Sequence, residues 1–112
     1  MDDKEIFTQL AIFQNNGIAA CLATIIHTVG STPREVGAKM VVCLDGSSYG
    51  SIGGGCGEKQ VLSAAIRCLL QNKQPEIVEV DLTDDLGVKD GDVCGGKMSV
   101  FVEPFLATRI DI

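Results

Sequence analysis

An eight-residue stretch, Ser51-Ile52-Gly53-Gly54-Gly55-Cys56-Gly57-Glu58, places three consecutive glycines, a thiol and a carboxylate where a strand pattern gives way to a helix pattern. Glycines let a backbone turn sharply and approach a ligand closely. The first N–H groups of a helix lack intrahelical partners, so a phosphate can accept them. The stretch is neither a Walker loop nor a G-x-G-x-x-G fingerprint, and the alternative reading is a tight strand-to-helix connection. Cys56 is the candidate catalytic residue. A thiol at a helix N-terminus has its thiolate favoured by the unpaired N–H groups and the helix dipole, which suits a nucleophile, a metal ligand or a sulfur carrier. The competing reading is a small buried cysteine.

Two further segments carry similar features. Val93-Cys94-Gly95-Gly96 sets a second cysteine beside glycines at the entrance to a strand, where it could meet Cys56 at one edge of a sheet. Ser31-Thr32-Pro33-Arg34 follows Gly30 and offers an arginine on a proline-stiffened loop, suited to a forked grip on phosphate or carboxylate. Arg34, Lys39, Lys59 and Lys97 all fall in or beside these loops and suggest a locally positive pocket. Cys21, Cys43 and Cys68 fall within strand and helix patterns and read as core. His27, the single histidine, ends an apolar strand and reads as structural. The aspartates between 81 and 92 lack the alternating ligands of an EF-hand and read as a solvated loop.

The elements that must position these residues follow from periodicity. Residues 3–16 space Ile6, Phe7, Leu10, Ala11 and Phe13 as an amphipathic helix, with Asn15-Asn16-Gly17 as its stop. Residues 18–26 form a nearly unbroken apolar run, the pattern of a central strand covered on both faces. Residues 39–44, the Asp45-Gly46 turn and Ser48-Tyr49-Gly50 predict a hairpin. Val61, Leu62, Ala65, Ile66, Leu69 and Leu70 predict a helix over 56–72. Residues 76–82 and 97–103 alternate as strands.

The chain has 112 residues, 46% hydrophobic and 21% charged, which is the composition of one globular domain rather than of a disordered segment. Its net charge of -6 argues against nucleic acid as a partner, because that binding rests on Lys and Arg at phosphates. An acidic N-terminus and the lack of an apolar run of about 20 residues argue against a secretory signal and a membrane span, and place the protein in the cytoplasm. The five cysteines form no Cys-x-x-Cys pair, which points away from a disulfide framework or a zinc site. The expected fold is a single mixed α/β (α+β) domain over 1–112, with its core at about 3–105. A mixed sheet of about four to six strands packs with two helices, and the site lies where the Gly30, Gly53 and Cys94 loops meet.

Taken together, Gly30-Ser31-Thr32-Pro33-Arg34, then Gly53-Gly54-Gly55-Cys56-Gly57-Glu58, then Cys94-Gly95-Gly96 resemble the XdhC/CoxI family, accessory proteins of molybdenum hydroxylases such as xanthine dehydrogenase. The resemblance implies a chaperone that binds the molybdenum pterin cofactor as cargo, assists its sulfuration, and delivers it to an apo molybdenum hydroxylase, with a cysteine desulfurase as sulfur source. It implies cofactor contacts at Ser31, Arg34, Ser51, Gly53, Gly54, Gly55, Cys56, Glu58, Cys94, Gly95 and Gly96, with Cys56 and Cys94 as candidate molybdenum contacts. Many members continue into a Rossmann-like domain; the expectation here is a chain without one, so a separate Rossmann-like chain joins a homodimer among the expected partners. A sulfur-transferring enzyme with a persulfide on Cys56, or a structural module of a split accessory protein, are the rival readings.

Overall fold

The first helix is built at its ends before it is built by packing. In the computed structural model, which describes residues 2–53, 55–82 and 95–106, α1 spans Asp3–Asn15. Asp2 caps it: the Glu5 N–H donates to Asp2 Oδ1 at 2.9 Å, and the Asp2 N–H donates to Glu5 Oε1 at 3.3 Å. This reciprocal pair satisfies two donors that the helix itself leaves open. The buried face is Ile6, Leu10 and Phe13, narrower than the spacing predicts. Phe7 and Ala11 are exposed, because the helix crosses only one side of the sheet and meets it along a single stripe.

The sheet has five strands in the order β3-β2-β1-β5-β4, every pairing antiparallel. Here β1 is Ala20–Val29, β2 Lys39–Cys43, β3 Ser48–Gly50, β4 Glu76–Asp81 and β5 Lys97–Phe105. With two helices against one sheet, the architecture is α+β. β1 is central and runs further than its apolar stretch, to Val29. It leaves β2 after Thr24↔Lys39 but stays paired with β5 as far as Val29↔Lys97, across a bulge between Ile25 and His27. His27 therefore lies within the strand and is exposed rather than part of the core.

α2 is Gly55–Arg67. The expected helix over 56–72 is interrupted near its end. From Cys68 to Asn72 it widens into a π turn, closed by Lys73 in the left-handed region (φ 54°), whose N–H reaches the Cys68 carbonyl at 2.7 Å. Pro75 cannot extend a helix and follows two residues later, so the chain is turned out toward β4.

The core has two layers. Cys21, Ala23 and Ile25 of β1 join Met40, Val42, Val80, Met98, Val100 and Val102 beneath Val61 and Ala65 of α2 and Leu69 of the π turn. On the opposite face Ala20 and Leu22 meet Val41, Cys43 and the α1 stripe. Each large side chain removed from water here contributes about 1.5–3 kcal/mol. Because neighbouring strands are antiparallel, the end of β1, the start of β2, the ends of β3 and β4 and the start of β5 all lie at one end of the sheet. The three glycine-bearing loops leave from that end.

Candidate functional site

The loop after β1 is shaped by its own short hydrogen bonds. Thr32 Oγ1 donates to the Arg34 carbonyl at 2.9 Å, and the Gly37 N–H returns to the Ile25 carbonyl at 2.8 Å. Lys39 closes its far side by donating to the Gly37 carbonyl at 2.9 Å and pairing with Asp3 at 3.0 Å, which ties the start of α1 to the loop. Lys39 is thus engaged in an ion pair at the edge of the loop. A cleft of about 550 Å3, lined by Asp2, Asp3, Ile6 and residues 33–39, runs beside Arg34.

This loop touches both of the others. Arg34 Nη1 donates to the Ser51 carbonyl at 3.2 Å. Pro33 lies against Gly53: a Cβ placed on Gly53 would stand 2.3 Å from Pro33 Cγ, and Gly53 has φ +133°, where a side chain is strained in any surroundings. Gly30 and Ser31 lie against the entrance to β5. A Cβ on Gly96 would sit 2.4 Å from the Val29 carbonyl oxygen and 2.5 Å from that of Ser31, so only glycine lets the two backbones cross there. The Leu82 N–H donates to the Gly96 carbonyl at 2.9 Å and pins the exit of β4 to the same point.

Between β3 and α2 the chain is held by Glu58. Its Oε2 accepts from Ser51 Oγ at 2.6 Å and from the Ile52 N–H at 3.2 Å, while Ser51 Oγ accepts from the Gly53 N–H at 3.0 Å. Ile52 is fully buried and anchors the turn. Among the described residues, nothing stands within 4 Å of where a Cβ would be at Gly55 or Gly95.

The structure therefore joins Arg34, Ser51, Gly53 and Glu58 into one hydrogen-bonded unit, and brings Gly30 and Ser31 against Gly96. Cys56 is the second residue of α2, although its side chain, like Gly54 and Cys94, lies outside the described residues. Of the aspartates between 81 and 92, Asp81 ends β4, and the others lie in the segment 83–94, outside the described residues. What the residue types alone do not reveal is that Arg34 and Glu58 both grip Ser51, or that Pro33 is the contact between two loops. The only signal for the latter is a proline and a glycine in separate motifs.

The remaining cysteines are elsewhere. Cys21, Cys43 and Cys68 are buried in the two core layers. Burial pushes the Cys21 thiol up to about 12, helped by the neighbouring Cys68 thiol and Glu76. Burial also raises Cys43, against a hydrogen bond from Ser47 that lowers it. Among the described residues no cluster of three metal-ligating side chains occurs, and no helix is long and apolar enough to cross a membrane.

Comparison with known proteins gives this site a context. The chain is 36% identical over 97 residues to the uncharacterized protein YqeB of Escherichia coli K12, an alignment that takes in 87% of this chain and 18% of YqeB. A Bacillus halodurans crystal structure described as a xanthine dehydrogenase superposes with a TM-score of 0.77 at 34% identity, over 93% of this chain and 30% of that one. The chain thus spans less than a third of either relative. The model of the XdhC and CoxI family matches residues 13–81, which include the Gly30 loop and the whole Ser51 to Glu58 turn. With the match covering more than half of its length, this chain belongs to the XdhC and CoxI family.

Proposed function

We propose that this chain is an accessory module that holds the molybdenum pterin cofactor as cargo while it is sulfurated and passed to an apo molybdenum hydroxylase such as xanthine dehydrogenase. A cysteine desulfurase supplies the sulfur. The observation that carries the reading is the meeting of the Gly30, Gly53 and Gly96 loops at one end of the sheet, beside the N-terminus of α2.

The chemistry of the residues fits such a cargo. Its phosphate suits a helix N-terminus, whose first N–H groups the helix itself leaves unpaired, and the Arg34 guanidinium has five N–H donors, of which one serves Ser51. Among the described residues nothing crowds Gly55 or Gly95, which supports approach of a ligand to the backbone there. Cys56, in the first turn of α2, is the thiol that would face the molybdenum or its sulfur, with Cys94 as its partner across the loops.

An anaerobic titration of the purified protein with the molybdenum pterin cofactor tests this. Wild type should bind, and Cys56→Ser and Arg34→Ala should each weaken binding by about tenfold or more, the scale of a lost hydrogen bond to a charged group. A folded wild type that fails to bind would refute the proposal for this chain.

A further inference from the structure

Glu58 belongs to the motif that the cofactor reading assigns to ligand contact, yet its carboxylate turns back on the chain that precedes its own helix. A single oxygen, Oε2, receives both Ser51 Oγ at 2.6 Å and the Ile52 N–H at 3.2 Å. The shorter distance is that of a charge-assisted O–H···O bond. Ser51 passes the constraint on, since its Oγ accepts the Gly53 N–H at 3.0 Å while its carbonyl accepts Arg34 at 3.2 Å and its N–H donates to the Lys39 carbonyl at 3.2 Å. Three consecutive residues, 51 to 53, are thereby tied to one carboxylate, one arginine and one strand end. The third of them has φ +133° and is pressed against Pro33. Glycine reaches that region without strain, so it is these contacts and not a backbone preference that fix the turn.

We infer that Glu58 is a positioning residue: through Ser51 and Ile52 it fixes the turn that sets the first residues of α2, including Cys56, at the loop junction. A carboxylate suits the task because one of its oxygens can accept two donors at once from residues six and seven positions earlier. The positioning of the turn stands on geometry alone, whereas its consequence for cargo binding rests on the function proposed above.

The test combines backbone amide exchange, followed by NMR, with the cofactor titration, on wild type, Glu58→Ala, Glu58→Gln and Ser51→Ala. In Glu58→Ala the Ile52 and Gly53 amides should exchange about tenfold faster or more. The Ile25 amide, bonded to the Ala38 carbonyl at 3.0 Å, should be unchanged and so certify the fold. Glu58→Gln keeps an acceptor oxygen and should restore both the protection and the affinity that Glu58→Ala loses. Ser51→Ala should release the Gly53 amide more than that of Ile52. Unchanged exchange at Ile52 and Gly53 in Glu58→Ala overturns the inference. So does a Glu58→Gln protein that regains the protected turn but binds cofactor as weakly as Glu58→Ala, because the carboxylate would then be a direct contact. A wild type that binds no cofactor would refute the function proposed above and leave the exchange measurements to decide the role of Glu58.

Discussion

Gly95 and Gly96 are adjacent in the sequence and identical in type, yet the structure assigns them opposite tolerances. Among the described residues a methyl group on Gly95 meets nothing within 4 Å, whereas on Gly96 it would stand 2.4 Å from the Val29 carbonyl oxygen and 2.5 Å from that of Ser31. Both obstructing atoms are backbone, so no side chain can rotate away. Relief requires β5 to part from the end of β1, where Val29↔Lys97 is the last pair of the central ladder. Overpacking of this kind costs about 1–3 kcal/mol, and the rigid obstruction argues for about 2 kcal/mol in Gly96→Ala. At Gly95 alanine only restricts the unfolded chain, which stabilises by about 0.4–1 kcal/mol. The two variants should therefore differ by about 2.5–3 kcal/mol. For a domain near this size the loss in Gly96→Ala lowers the melting temperature by about 8 °C or more. Urea and thermal unfolding followed by far-ultraviolet circular dichroism suit a protein with no tryptophan and one tyrosine. Gly96→Ala unfolding at or above the midpoint of Gly95→Ala would show that the crossing of the two backbones is not as close as described. It would also remove the steric reason for a glycine at the second position of the Cys94-Gly95-Gly96 motif.

Two further outcomes concern the buried thiols. The Cys21 thiol, held at about 12 against 9.0 for a free thiol, keeps its proton in the folded state while the unfolded chain loses it. Its contribution is thus intact below pH 9 and falls as pH rises from 9 toward 12, because the unfolded chain loses a proton that the folded one keeps. Urea unfolding across that range should show a shallower decline in Cys21→Ala than in wild type, and equal slopes would contradict the assignment. Under native conditions Cys21, Cys43 and Cys68 should resist iodoacetamide, with all five cysteines alkylated only in denaturant. Peptide mapping that finds Cys21 modified as fast in the native protein as in the unfolded one would rule out the described core.

The elements themselves were legible from the chain. Apolar residues at helical and alternating spacing mark α1, α2, β4 and β5, and the Asp45-Gly46 turn marks the hairpin of β2 and β3. These patterns are local, because a residue's face depends on neighbours one to four positions away. The residue types of the three loops were equally plain, and they carry the family resemblance. What local pattern could not specify was which long-range partner each loop residue takes. Arg34 reads as a grip for an anion and Glu58 as a further cofactor contact, and the fold shows both holding Ser51, seventeen residues from the one and seven from the other. Gly96 reads like Gly95 until the order β3-β2-β1-β5-β4 lays the entrance of β5 across the end of β1. Phe7 shares the helical period with Ile6 but stays outside, because α1 meets only one stripe of the sheet. Period and composition decide which segments form elements and which residues can do chemistry. Only the packed antiparallel sheet, by setting three distant loops at one end, decides which of those residues are left to meet a ligand and which hold the loops in place.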